Sequence, residues 1–364
     1  MNRITRIVIT TLFTILLAIS IWYFSNLVTY LIVSVVLSLI GRPLVKFLSN
    51  IKIKSFQIPK SLAAGITLIA QVFFFSSIIM LFIPIVSHQA NVISNIDTNR
   101  VSKNLTKTVQ DVDQLFLEYG ILQANEPLEK TIEEKVTQVI NVATFSNLIK
   151  NLLNFTGNFF IGVFSILFMT FFFLKEEHLF INIILLITPP KYNTKIKNIL
   201  KKTRELLTRY FIGLLIEIGT MITLLITGLT LLEVPSSVLI GFFGGTMNII
   251  PYLGPIIGAS IGTVLGIVGE LGAGNYMDFY LVSGKVLIVF VTANLVDNIV
   301  LQPLIYSNSV KAHPLEIFLV IMMAGSLGGP LGMILAIPTY TMIRIIAGEF
   351  LGEFRLVQQM TSKI

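Results

Sequence analysis

The chain has 364 residues, of which 54% are hydrophobic and only 12% charged, with a formal net charge of +7. A soluble chain carries about a quarter charged residues, so the composition excludes an ordinary soluble protein and indicates a polytopic membrane protein. With no Cys, no metal-binding spacing among His88, His178 and His313, and no GxxxxGK[ST] loop, no metal site, cofactor or ATP-driven pump is expected.

The first apolar run, Ile7 to Phe24, follows Arg3 and Arg6. No small-x-small cleavage pattern follows it, and a second run, 27 to 41 with a continuation toward Leu48, begins at once, so the two are expected to form a transmembrane hairpin. Arg42, Lys46, Lys52, Lys54 and Lys60, with no acidic residue among them, place the next loop and the N-terminus in the cytoplasm by the positive-inside rule. Ser61 to Val86 then crosses outward.

The stretch 88 to 150 is too polar to span, and its apolar residues recur at three- and four-residue steps. It is expected to form extracytoplasmic amphipathic helices that pack on each other or on the membrane surface, with a substrate vestibule or a partner surface as the functional alternative. Leu152 to Leu174 crosses back. Pro189 and Pro190 then start a basic helix carrying Lys191, Lys195, Lys197, Lys201, Lys202, Arg204 and Arg209. Between two membrane segments, this run points to anionic lipid headgroups, not nucleic acid.

Phe211 to Leu232 crosses outward and is followed by an apolar segment, 236 to 268, broken by Pro251 and Pro255. As one straight helix it would be about 50 Å long, well beyond the roughly 30 Å hydrocarbon core. A re-entrant hairpin with its tip near Asn248 to Pro255 fits better. Gly284 to Ile305 crosses inward, and 314 to 346 is a second broken segment, interrupted at Gly325 to Gly332. A span plus a broken segment therefore occurs twice in opposite orientation, as in secondary transporters built from inverted repeats.

The expected fold is an all-α polytopic membrane protein with six full spans, two oppositely oriented re-entrant helical hairpins and an extramembrane amphipathic region. An eight-span layout, in which both broken segments cross, is the alternative. The regions are 1–87, 88–150, 151–210, a transport core at 211–346, and a cytoplasmic tail at 347–364.

Ionisable groups inside membrane spans are costly and are functional candidates by default. Asp297 stands beside Asn294, Asn298 and Gln302, whose four-residue steps put their amides on one helix face. That face suits a hydroxylated solute or a coupling proton or sodium ion, and the bland alternative is an interhelical hydrogen-bond cluster. Glu217 is the second candidate coupling carboxylate, with pairing to Arg209 or Arg204 at the interface as its structural alternative. Asn248, Pro251, Tyr252, Gly254 and Pro255 at the first break, and Gly325, Ser326, Gly328, Gly329 and Pro330 at the second, offer side chains and freed backbone groups to a substrate path. Close helix packing is the competing role for Gly241/Gly245, Gly258/Gly262/Gly266 and Gly325/Gly329.

NIIPYLGPIIG (Asn248 to Gly258) together with DNIVLQPLIYSNSVKAHPLEIFLVIMMAGSLGGPLGMILAIP (Asp297 to Pro338) resembles the bacterial autoinducer-2 exporter family of permeases. The cytoplasmic stretch Leu174 to Gly213 is also similar, whereas the N-terminal third matches only in hydropathy. One departure is Leu214, where the family pattern has a glutamine after the glycine. The resemblance implies a multi-pass transporter of the bacterial cytoplasmic membrane, homo-oligomeric with a pentamer as the candidate assembly. It also implies export of autoinducer-2 or a similar small polar solute, or sodium(lithium)/proton antiport. A non-transporting membrane scaffold is the competing class; an enzyme has no nucleophile or metal cluster to stand on.

Overall fold

The long apolar runs of the sequence become long helices in the computed structural model, which describes residues 11–12, 15–16, 19–20, 23–53, 56–94, 156–176, 179–272, 279–303 and 313–351. The chain packs as two compact units, Met1–Phe75 with Phe155–Phe211, and Ser76–Asn154 with Ile212–Ile364.

In the first unit, helix α1 (Ser25–Asn50) runs through Pro43 and past Leu48. The basic loop after it contains a feature the sequence did not suggest, a minimal antiparallel pair of β1 (Lys52–Ile53) and β2 (Phe56–Gln57). Helix α2 (Lys60–Ser94) starts in this unit, and α3 (Thr156–Lys175) lies along α1. Val45, Ala63, Ala64 and Leu174 form the core, and a side chain at Gly41 would meet Thr67 and Leu174 at about 3 Å. Two hydroxyl and amide donors tie the helices: Ser34 Oγ donates to the Ile166 carbonyl at 3.0 Å, and Gln71 Nε2 to that of Leu37 at 2.8 Å.

After α4 (Leu179–Ile187) and a 3-10 turn at Pro190–Tyr192, helix α5 (Asn193–Leu231) is continuous for 39 residues. The basic helix and the fifth span, expected as separate pieces, are thus one rod about 58 Å long. Nothing between Asn193 and Leu231 stops a helix. The change at Phe211 is one of polarity, and polarity alone does not end an intrahelical hydrogen-bond ladder.

In the second unit, α5 ends in a Schellman-type cap: Val234 N–H reaches the Leu229 carbonyl and Glu233 N–H that of Thr230. The broken segment that follows is α6 (Ser237–Met247), a turn, and α7 (Leu253–Gly272). It folds back on itself. Gly254 abuts the Met247 carbonyl, Gly258 faces Gly244, Gly262 faces Ile240 and Gly269 faces Pro235, an antiparallel register throughout. Helix α8 (Phe279–Val296) continues into a π-turn at Asp297–Leu301.

The last helical segment, α9 (Pro314–Phe350), also folds back, at Gly329, whose φ of 59° and ψ of −147° are accessible essentially to glycine alone. Its limbs meet at Gly325 against Met333 and Gly332 against Ala324, and Tyr340 Oη donates to Glu316 Oε2 at 2.9 Å.

Among the described residues, six helical stretches are long and apolar enough to cross a membrane: 25–50, 60–87, 190–231, 253–271, 280–301 and 315–350, with shorter apolar helices at 159–175 and 237–247. The chain is thus a helical multi-pass membrane protein. The set differs from the six expected spans, because it draws on both broken segments and most of 7–24 lies outside the described residues. So do the amphipathic helices expected beyond residue 94, the cytoplasmic loop with Lys311, and the tail from 352.

Candidate functional site

The first break is built by its prolines and one left-handed residue. Pro251 has no N–H to donate, and the chain reverses through Tyr252 at φ 66°, with Leu253 N–H bonded to the Pro251 carbonyl at 2.8 Å. Gly254 is required next, because a Cβ there would collide with the Met247 carbonyl. Asn248 closes the end of α6 and is 3% exposed.

Helix α5 passes α6 at close range. A Cβ at Gly241 would sit 2.6 Å from the Ile226 nitrogen, and one at Gly245 would sit 2.6 Å from that of Ile222. The same register carries Glu217, 3% exposed, to the turn, where its Oε1 accepts from Asn248 Nδ2 at 3.4 Å.

Helix α8 runs antiparallel to α7. Val282 and Val286 face Gly266, and Phe290 fills the notch made by Gly244, Gly258 and Gly262. Asp297 follows Phe290 by two turns on the same face, which places it at the level of the 248–252 turn. It is fully buried, its Oδ2 accepts from Gln302 Nε2 at 2.9 Å, and its Oδ1 has no hydrogen-bond partner among the described residues. The three-amide face expected beside it is divided. Asn298 Nδ2 donates to Asn294 Oδ1 at 3.3 Å on the outward side, while Gln302 turns inward, because a π-turn brings residues five apart into line.

The two broken segments meet. Ile249, Ile250 and Leu253 pack against Ile317, Ile321, Ala336 and Met333, and the Tyr252 ring stands edge-on to Phe318 at 6.4 Å. This contact is made by the limbs of the second hairpin. Its tip is elsewhere: Ser326, Gly328 and Pro330 are exposed, Leu327 is 90% exposed, and open space surrounds the Cα atoms of Gly328 and Gly329. Of the predicted residues, the structure therefore pairs Glu217 with Asn248 beside the turn of Pro251, Tyr252 and Gly254, pairs Asp297 with Gln302, and leaves the tip of the second hairpin apart. The Gly241/Gly245 and Gly258/Gly262/Gly266 rows do pack closely, whereas Gly325 meets only Met333 and Gly329 serves the turn.

What these pairs offer chemically is two buried carboxylates in an apolar bundle, Glu217 bonded to the Asn248 amide and Asp297 to that of Gln302. An ionised carboxylate is costly there unless it is paired or solvated. Among the described residues no cluster of three metal-ligating side chains exists. Sequence reasoning missed three features: the π-turn, the Glu316–Tyr340 bond, and Gln89, which is 2% exposed and accepts from Ser236 Oγ at 2.6 Å. Only Ser236 carried a signal, as a cap-type residue directly before α6.

A family model described as AI-2E family transporter matches residues 11–352. The chain is 32% identical over 196 residues to the "putative transport protein" YueF of Bacillus subtilis, a match covering 54% of this chain and 50% of that protein. It is 27% identical over 226 residues to YrrI of the same organism, which carries the same description, covering 62% of this chain and 60% of that protein. The chain thus spans between half and three-fifths of the length of these relatives.

Proposed function

The chain belongs to the AI-2E transporter family, a membrane transport family and not an enzyme family, and on that premise we propose that it is a secondary exporter of a small polar solute such as autoinducer-2. The observation that carries this reading is the polar level inside the second unit: Glu217 with Asn248 and Asp297 with Gln302, beside the only break in the 236–268 segment and against the second hairpin. Buried donors and acceptors at a broken helix are what a solute needs in place of water.

Helix α6, with 11 residues, is about 16 Å long, and the limb 314–328 about 22 Å, both shorter than the roughly 30 Å hydrocarbon core. In our reading both hairpins are re-entrant, from opposite faces. The spans that precede them support this, since α5 and α8 run antiparallel within the second unit. In the same reading these ends and both termini lie in the cytoplasm of a bacterial cell, which the basic loop at 42–60 and the basic start of α5 support. Alternating access then exposes the polar level to one face at a time, in each subunit of a homo-oligomer.

The two buried carboxylates also favour a second reading, sodium(lithium)/proton antiport on the same fold. Proteoliposomes loaded with candidate polar solutes, autoinducer-2 among them, separate the two under imposed proton or sodium gradients. Solute export that falls at least about tenfold in Asp297→Asn supports the first reading. Sodium–proton exchange without any organic solute selects the second, and unchanged flux in the variant removes Asp297 from the mechanism.

A further inference from the structure

Of the three non-glycine residues with positive φ among the described ones, Glu233 (φ 55°) belongs to the cap that ends α5 and Tyr252 (φ 66°) to the turn after Pro251. Ser236 (φ 58°) has neither role, and a left-handed backbone at such a residue persists only where its surroundings hold it. Ser236 occupies the N-cap position of α6, yet its side chain makes no capping bond. Its Oγ donates instead to Gln89 Oε1 at 2.6 Å, a residue on the far part of α2 within the same unit. Gln89 is 2% exposed and its Nε2 has no hydrogen-bond partner among the described residues, so among them this bond alone holds the amide in the bundle.

A serine caps a helix from the β region of the backbone map, not from the left-handed region. The two bonds open to Ser236 therefore demand two backbone conformations: left-handed with the hydroxyl on Gln89, or extended with the hydroxyl on the first turn of α6. Exchanging one for the other re-aims α6 where it leaves α5. We infer that Gln89 and Ser236 form the latch of a hinge at the base of the first hairpin, whose release turns α6 and so opens the level of Asn248 and Tyr252. This role rests on the alternating-access reading and supplies the joint that such a motion requires. Helix α6 lies close on α5 at Gly241 and Gly245 and on α7 at Gly244 against Gly258, so a change of its direction at Ser236 is transmitted along it as a body.

Hydrogen exchange of the detergent-solubilised full chain tests the latch without any substrate. In Gln89→Leu, Ser236 keeps its hydroxyl and is free to cap, so amides of the turn at 248–253, about 16 Å away along α6, exchange about tenfold faster while those of α8 hold their rate. Ser236→Asp, which caps better and cannot donate to Gln89, opens the turn at least as much. Ser236→Gly has no oxygen to cap with and favours the left-handed backbone, so its turn exchanges at the wild-type rate. If Ser236→Gly loosens the turn as much as Gln89→Leu does, the contact is mere packing and the switch is wrong; the Ser236 pair decides the matter even where Gln89→Leu fails to fold. Solute flux in the same variants is a separate readout, so graded exchange without any flux overturns the transport reading and leaves the hinge standing.

Discussion

Gln302 reaches Asp297 across five residues, Nε2 to Oδ2 at 2.9 Å, because Asp297–Leu301 is wound as a π-turn. In an α-helix these two side chains would point about 140° apart. The wide turn is thus what gives the buried carboxylate its one partner, and π-turns within α-helices are frequent at functional sites. Gln302→Leu leaves both Asp297 oxygens without a side-chain donor and should cost about 1–3 kcal/mol. Thermal unfolding in detergent checks this, together with Asp297→Leu and the double variant. A double variant less destabilised than the sum of the singles shows the coupling directly.

The glycines of α6 give a second prediction. At Gly245 an added methyl would lie 2.6 Å from the Ile222 nitrogen, and backbone cannot move aside as a side-chain tip can. Gly245→Ala is expected to destabilise by about 1–3 kcal/mol through overpacking. Gly219 and Gly284, also helical, have nothing within 4 Å of such a methyl. Alanine at either should be neutral or stabilise by about 0.5–1 kcal/mol, since only the helix preference of the chain changes. Unfolding midpoints that rank Gly245→Ala level with Gly219→Ala would contradict the close α5–α6 contact.

At the second hairpin, space and backbone strain separate cleanly. Gly328 and Gly329 both face open space, but only Gly329 has a positive φ. Gly329→Ala should therefore cost about 1–3 kcal/mol while Gly328→Ala costs little. Limited proteolysis of the purified protein, comparing cleavage near the exposed Leu327, reads the same difference as a local opening.

The positions of both breaks were legible in the sequence because proline and glycine act locally: Pro251 and Gly329 determine a turn whatever surrounds them. The length of 236–268 against the bilayer thickness made its folding back on itself legible, although its second limb, α7, is long enough to cross a membrane alone. The partners of the polar residues were not. Periodicity placed Gln302 with Asn294 and Asn298 by assuming 3.6 residues per turn, and one wide turn moved it to Asp297. Glu217 was weighed against the nearest arginines in sequence, whereas the register of α5 on α6 delivers it to Asn248. The basic helix and the fifth span, read as two elements, are one helix for a related reason, since hydropathy changes at Phe211 but no residue there interrupts a helix. Ser326 was grouped with the site on the symmetry of the two breaks, yet the second hairpin presents its limbs, not its tip, to the first.

The limbs of that second hairpin are joined near their base by Tyr340 Oη donating to Glu316 Oε2, with the Arg344 guanidinium 5.6 Å from the Tyr340 ring centre. Glu316 lies in the first turn of its helix, where the free N–H groups favour a carboxylate, so the bond fixes a side chain already held by the helix end. Tyr340→Phe removes the donor while keeping the ring over which Arg344 sits. It should lower stability by about 1–2 kcal/mol, the range for a hydrogen bond to a charged acceptor discounted for partial exposure. Because Ile321 and Ala336, further along the same limbs, hold Ile250 of the first hairpin, the loosening should reach the first break. Hydrogen exchange at 249–253 in Tyr340→Phe is the measurement. Faster exchange there, with no change around Gly41 and Ala63 in the first unit, is the expected outcome, and an effect confined to 314–350 would show that the hairpins open independently.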